Sequence, residues 1–472
     1  MRFIQPDLPL VWLTRSRLSP YAWILILWAL LVVPGVFLVG AHYDEGTTIG
    51  LARGAFQDGH WLAPHLYGYR VAERPALVSW LLGVVGLVFG DFDLWVGRLP
   101  AVGALLGGAM LVYWFARRAV GRQGATFAAA CLLLSPMVIQ KLITAENDGV
   151  VSIVLFAAFV VWWIGNAAGG PTLVRWAVIG LVLAVAGLVE GPQPLGLFFL
   201  GVGLYLVVRR KWRELAGLAL AALIAAVFVG GWYWAVYQPD DAGLGKAAAG
   251  GPTAGEYLAN ILHFAGQLCL ELMPALILVV PLAIDVLRRR IEANRELVLA
   301  LLAYAVSGTV VLLFWPSAVT RQAMPIVPAV AVLGGIGYHH FLARLPRLVL
   351  GAQIVAGGLL VYVLVLNWVV MPLFPAAFSL NADTAQPIVA AIVERPAPVY
   401  VVGTAVNRDV LFYLPKPRLV SVDQLAQAKP PFWAIVTRDD ERDLQVARPD
   451  LAIGLRLEIP KAKARLVEVT KP

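Results

Sequence analysis

Apolar runs of about 20 residues recur along this chain, and each could cross a bilayer as one helix. Candidate runs begin near residues 21, 98, 124, 149, 172, 192, 215, 261, 296, 324 and 348. So many runs leave little room for a water-soluble fold. Composition agrees: 60% of the 472 residues are hydrophobic and 14% are charged, against roughly 45–50% and about 25% in soluble domains. The expected fold is a polytopic α-helical membrane protein of about 11–13 transmembrane helices.

The net charge of +8 comes from Lys and Arg gathered in short clusters between the runs. They are Arg15 and Arg17, "RRAVGR" (117–122), "RRKWR" (209–213), "RRRIEANR" (288–295), and Arg344 with Arg347. That pattern suits membrane orientation better than nucleic-acid binding, which needs a continuous basic stripe. Placing every cluster in the cytoplasm satisfies the positive-inside rule and puts the N-terminus there too. "MRFIQPDLPLVWLTRSRLSP" is too polar and broken for a signal peptide, so the first run is expected to be retained. The scheme holds only if "PALVSWLLGVVGLVFG" (75–90) does not cross. It is short and starts with Pro75 after Arg74, so it is expected as an interfacial helix.

The outer face then carries a long first loop (42–97), "TAEND" (144–148), "VEGPQP" (189–194), a loop at about 237–260 and "WPSAVTRQ" (315–322). The Gly/Ala-rich stretch 242–255 reads as a flexible loop and a candidate lid. Residues 1–375 are expected to form the membrane domain. Residues 376–472 have no membrane-length run and read as a small outward α/β domain. "APVYVVG", "RLVSV" and "FWAIVTR" are its strands, and "AQPIVAAIVER" and "TAVNRDVLFYL" are helical. Cys131 and Cys269 sit inside apolar runs and are expected as buried small hydrophobes rather than a disulfide or zinc site.

Asp44 and Glu45 stand side by side where the first run ends. Two carboxylates are costly that close to lipid, which marks them as functional candidates. Such a pair can orient an acceptor or take its proton, or can hold a divalent cation through oxygen. A metal site is not assigned, and the divalent cation is left open. Asp148, after the third run, can reach the same outer-face cavity. Arg321 is a basic candidate there, with a snorkelling role as the plain alternative. Lys246 could reach the same anion, Arg53 reads as a solvated face, and Lys141 and Glu146 read as an interfacial pair. His60 and His65 read as surface residues.

The order of short motifs is more specific. Asp-Glu is followed by a helix-like "TTIGLARGAF", "GHWLAP" (59–64), "ERP" (73–75), a short apolar helix, Phe89-Gly90 and Arg98-Leu99-Pro100. This resembles the first outer loop of the GT-C membrane glycosyltransferases. It is most similar to the lipid A aminoarabinose transferase and protein O-mannosyltransferase-like members. "RQAMPIVPAVAVL" (321–333) and the outward C-terminal domain extend the likeness. The resemblance implies a transferase that takes a sugar from a polyprenyl-phosphate carrier at the periplasmic face of a bacterial inner membrane. The acceptor would be a lipid, polysaccharide or protein, and nucleic acid would play no part. It implies Asp44, with Glu45 and Asp148, as catalytic acids. It implies Arg74, with Arg321 and Lys246, on the donor phosphate, and Glu73, Trp61 and Glu190 around the substrate cavity. An Arg is suited to phosphate because it binds bidentately and stays charged.

The chain departs from the family at Thr48, where Tyr is common, at Val71 and Ala72, where aromatics are common, and at Glu190, where Lys is common. These positions leave sugar and acceptor open. Two other classes stay beside the enzyme. One is a transporter or flippase of a lipid-linked substrate, against which no inverted repeat is visible. The other is a non-catalytic envelope assembly protein with the same fold.

Overall fold

The fold was analysed in a computed structural model, which describes residues 18–71, 74–90, 92–170, 172–236, 254–315 and 318–471. Among these, eight helices are long and apolar enough to cross a membrane, or nine with Gly255–Glu271 and Leu276–Leu287 taken as one span bent by 102°. The sequence suggests more spans because one of the eight is two runs joined. Helix Leu94–Leu133 has 40 residues and breaks at Gly121, where φ is 71° and ψ −168°. Only glycine adopts that backbone without strain. The two halves run in opposite directions. Arg98 and Ala145 both reach Glu45 at one end of the bundle, while the Ala119 carbonyl accepts from Asn294 at the other. The 14-residue Leu195–Val208 is the remaining short apolar segment among the candidate runs.

The first long helix, Pro20–Leu38, is set by Ser19, whose hydroxyl accepts from the Ala22 amide, with Pro20 in the first turn. It lies antiparallel to the first half of the broken helix. The Tyr21 and Tyr113 rings meet edge-on at 5.0 Å, and Trp28 Nε1 donates to the Val102 carbonyl at 2.9 Å. Val327–Phe341 is apolar on every side and is correspondingly central, with all of Val327–Tyr338 buried. Its Gly335 lies against Gly124 so closely that a Cβ would stand 2.5 Å from the Gly124 carbonyl oxygen.

All the basic clusters that are described gather at the end of the bundle away from Asp44. Arg122 donates to the Leu18 carbonyl, Arg209 pairs with Glu296 at 2.7 Å, and Asp285 meets His340 and Arg290. The short helix Leu77–Phe89 does not cross. It starts just after Arg74, which pairs with Asp44, and ends just before Phe92, whose carbonyl accepts from Arg53. Both ends are therefore at the Asp44 end. Gly83 lets this helix lie on the Phe56 ring, where a Cβ would overlap the ring carbons. Its other face, including Leu81, Val84 and Val88, is exposed.

After the bundle, Leu380–Glu394 is helical and a five-stranded sheet follows. The strand order is Arg418–Val420, Val399–Val402, Phe432–Thr437, Ala464–Thr470, Ala452–Ile459. The Val399–Val402 strand is parallel to both neighbours (Val401 faces Leu419 and Ile435), and the other pairings are antiparallel. The first three strands are those read from the sequence. Within "TAVNRDVLFYL", helix forms only over Arg408–Leu411, because Asn407 caps a single turn. The last two strands form a ribbon whose charged residues pair across it, Arg456 with Glu468 and Arg465 with Glu458. That charge hid them from a search for apolar runs. Cys131 is buried and Cys269 exposed, both free, so the expectation of burial fails for Cys269.

Candidate active site

The acid pair sits where three pieces of chain meet: the end of Pro20–Leu38, the start of helix Glu45–Phe56, and the loop that precedes Asn147–Ala167. Arg98 binds them together. Its Nη1 donates to the carbonyls of Val36 and Val39 at 2.8 and 2.9 Å, and Nη2 to that of Gly40 at 3.1 Å. These are carbonyls that a helix end leaves unpaired. Its Nε and Nη2 also donate to the two Glu45 oxygens at 2.8 and 2.7 Å. Glu45 Oε1 accepts from the Ala145 amide at 2.7 Å, and Oε2 meets His42 Nδ1 at 3.0 Å. Both Arg98 and Glu45 are 0% exposed. Burial alone would raise the Glu45 carboxyl, but the hydrogen bonds from Arg98 and His42 hold it below its ordinary value.

Asp44 faces the other way. Its Oδ2 accepts from Arg74 Nη2 at 2.5 Å, and it lines a cavity of about 270 Å³. Thr48, Arg74, Pro75, Glu146, Asn147, Asp148, Val189, Glu190 and Arg321 complete the lining. Five predicted residues, Asp44, Asp148, Arg74, Arg321 and Glu190, are thus brought together from four separate stretches. Lys141 pairs with Glu146, as the sequence suggested, and its Nζ lies 3.9 Å from Asp148 Oδ2. Burial pushes the Glu146 carboxyl up, against the pull of Lys141. The Arg321 side chain is 53% exposed, and the nearest acid oxygen is Glu146 Oε1 at 3.9 Å. The cavity therefore holds four carboxylates and two arginines, one engaged with Asp44 and the other loosely held.

Two predicted residues lie elsewhere. Glu45 is not in the lining, since its oxygens are consumed by Arg98, His42 and Ala145, so it cannot meet a substrate in this arrangement. Trp61 is half-exposed and does not line the cavity, its ring 3.9 Å from that of Phe56. Glu73 and Lys246 fall outside the described residues, as does nearly all of the 242–255 stretch expected as a lid. Among the described residues no group of three His, Cys, Asp or Glu has metal-binding spacing. The sequence reading missed the buried Arg98 and Asn147. Arg98 was visible in "RLP", but nothing local said that its side chain would turn inward. His60 and His65 stack at 3.7 Å.

A larger cavity of about 1090 Å³ lies between helix Glu45–Phe56 and the C-terminal sheet, with Arg53, Asp58, Lys416 and Arg418 in its lining. It contains none of the predicted site residues.

Comparison with known proteins places these features. Residues 73–234 match the family described as dolichyl-phosphate-mannose-protein mannosyltransferase. The undecaprenyl phosphate-alpha-4-amino-4-deoxy-L-arabinose arabinosyl transferase of Edwardsiella ictaluri is 26% identical over 221 residues, 46% of this chain and 40% of that protein. The enzyme of the same name from Pseudomonas aeruginosa PAO1 is 28% identical over 190 residues, covering 39% and 34%. The alignments thus span less than half the length of these curated relatives. The crystal structure of ArnT from Cupriavidus metallidurans bound to undecaprenyl phosphate superposes with a TM-score of 0.72, at 17% identity, over 98% of this chain and 100% of that one. The oligosaccharyltransferase of Archaeoglobus fulgidus gives 0.53 at 12% identity, over 93% and 71%. With its helical bundle, its short first-loop helix and its C-terminal sheet, the chain shares the fold of these two solved membrane enzymes.

Proposed function

We propose that the protein moves a sugar from a polyprenyl-phosphate carrier to a lipid, polysaccharide or protein acceptor at the periplasmic face of a bacterial inner membrane. The observation that carries this reading is the cavity in which Asp44 and Asp148 converge with Arg74 and Arg321. The names of the relatives support a lipid-phosphate donor. The gathering of basic clusters at the opposite end of the bundle supports a cytoplasmic placement of that end, and hence a periplasmic cavity and C-terminal unit.

In the reaction an acceptor oxygen attacks the anomeric carbon while the bond from that carbon to the carrier phosphate breaks. The phosphate leaves with the bonding electron pair. The acceptor proton goes to Asp44, so charge and atoms balance. Arg74 holds Asp44 in place with one N–H and has others for the phosphate. Arg321, exposed and loosely held, is the main phosphate ligand. Fixed positive charge where negative charge develops is the strongest form of such stabilisation. Direct attack inverts the anomeric centre. Glu45 does not act on substrate; with Arg98 it fixes the backbone from which Asp44 projects. A leaving phosphate needs no general acid, so Asp148 and Glu190 bind or orient sugar and acceptor.

The test is mass spectrometry of envelope lipids and glycans from a deletion strain restored with wild type or with Asp44→Asn. Loss of one sugar mass, restored by wild type and reduced at least about 100-fold with the variant at equal protein level, is expected. Full restoration by Asp44→Asn would remove Asp44 from the chemistry. Loss of the sugar in the deletion with normal glycan in the Asp44→Asn strain would favour a scaffold, and counterflow uptake by the purified protein in vesicles would favour a transporter.

A further inference from the structure

Asp44 occupies the N-cap position of helix Glu45–Phe56, yet its side chain makes no capping hydrogen bond. An Asp there ordinarily accepts from the second or third amide of the helix. The second amide, that of Gly46, donates instead to Asp409 Oδ1 at 2.8 Å. Asp409 comes from the C-terminal unit, 363 residues away, and is 0% exposed. We infer that Asp409 caps the helix in place of Asp44, and so releases the Asp44 carboxylate to face the cavity on Arg74.

The surroundings are built for this substitution. Gly46 sits so close to the Arg408 carbonyl that a Cβ would stand 2.3 Å from its oxygen, and only glycine permits the approach. The Gly46 carbonyl accepts from the Tyr67 hydroxyl at 2.9 Å. The C-terminal unit also holds the chain just before the acid pair. The Gly40 amide donates to the Phe378 carbonyl at 2.8 Å, the Ala41 amide to the Tyr413 hydroxyl at 2.7 Å, and Asn381 Nδ2 to the Ala41 carbonyl at 2.7 Å. Residues 40–46 are therefore tied to the C-terminal unit at four points. That unit is part of the site's framework, with Asp409 as a positioning residue. Without Asp409 the Gly46 amide needs another acceptor, and Asp44 is the group at the cap position. Asp44 would then turn from Arg74 to its own helix.

This inference rests on Asp44 being at the reaction centre, and the experiment separates the two. The full chain carrying Asp409→Ala is purified in nanodiscs, its structure determined by cryo-microscopy and its transfer kinetics measured. Expected are Asp44 on the Gly46 amide with the Arg74 pair broken, kcat reduced at least tenfold, and donor KM within twofold of wild type. Asp409→Asn keeps an accepting oxygen and should retain at least half of kcat. If Asp409→Ala does not fold, Asp409→Ser replaces it, since its shorter hydroxyl falls short of the Gly46 amide. Asp44 still on Arg74, or a wild-type kcat in the uncapped variant, overturns the inference. If Asp44→Asn is itself fully active, the functional reading falls, and the position of the Asp44 carboxylate in the variant structure still decides the capping.

Discussion

Arg98 has five N–H groups and all five are used, on three carbonyls at one helix end and on both oxygens of Glu45. Lys has three donors on one atom and cannot span that set. Removing one member of a buried pair strands the other in an apolar setting, which costs about 3–5 kcal/mol. Arg98→Leu should therefore lower stability by about that much, and Arg98→Lys should recover little of it. Thermal unfolding of detergent-purified protein, followed by circular dichroism, reads this directly. A loss below about 1 kcal/mol for Arg98→Leu would mean the pair contributes little. At this scale the sequence was half legible. Adjacent Asp44 and Glu45 stood out because charge beside lipid is costly. Their opposite fates did not, because neighbours on a helix start point about 100° apart and only the fold says which direction is buried.

The joint between helix Glu45–Phe56 and the turn Arg408–Leu411 is where two elements far apart in sequence exchange a capping bond. Burial pushes the Asp409 carboxyl up to about 6 from an ordinary 3.8. Glu45 and Asp44 add to the rise, while the Gly46 amide and His42 oppose it. Tyr67, Tyr413, Arg408 and Arg53 are the other ionisable groups near the joint. The folded state therefore favours the protonated acid. Below about pH 4 both states hold the proton and the joint has its full stability. As pH rises from about 4 to 6 the unfolded chain ionises first, and the folded state loses up to about 3 kcal/mol, with no further change above. Asp409→Asn keeps the acceptor and cannot ionise. Its melting temperature minus that of wild type should grow between pH 4 and 6 and then stay level. A difference that is flat across that range would show that Asp409 does not carry the rise. Elements were legible wherever apolar runs were long, and the first three strands of the C-terminal sheet were read as well. The hairpin His65–Leu66 with Tyr69–Arg70 and the last two strands were not, because their residues are polar or charged and their pairing is decided across the chain.

For the whole molecule, charge and apolar surface divide the bundle into two ends and a girdle. Leu181, Val185, Leu223, Val227, Ile354 and Val361 are exposed on its flanks, as residues facing lipid should be. The short helix Leu77–Phe89 begins and ends at the Asp44 end of the bundle. This keeps the later basic clusters on one side, and it is the step on which the orientation depends. The sequence could weigh that choice through the positive-inside rule, the shortness of the segment and its proline start. The fold adds the reason: the Phe56 ring lies where a Cβ of Gly83 would be, and the Ile49 side chain crowds Gly97 in the same way, so the first loop is pinned to the bundle rim. Orientation then becomes a prediction about two faces. In a Cys269→Ala background, where the remaining Cys131 is buried, Asp58→Cys and Arg213→Cys are both exposed single thiols. Asp58 lies in the first loop beside the larger cavity, and Arg213 lies in the basic cluster after Leu195–Val208. A membrane-impermeant maleimide added to intact spheroplasts should label Asp58→Cys and leave Arg213→Cys unmodified until the membrane is opened. Labelling of Arg213→Cys from outside would invert the molecule, place the cavity in the cytoplasm, and rule out a donor presented at the periplasmic face.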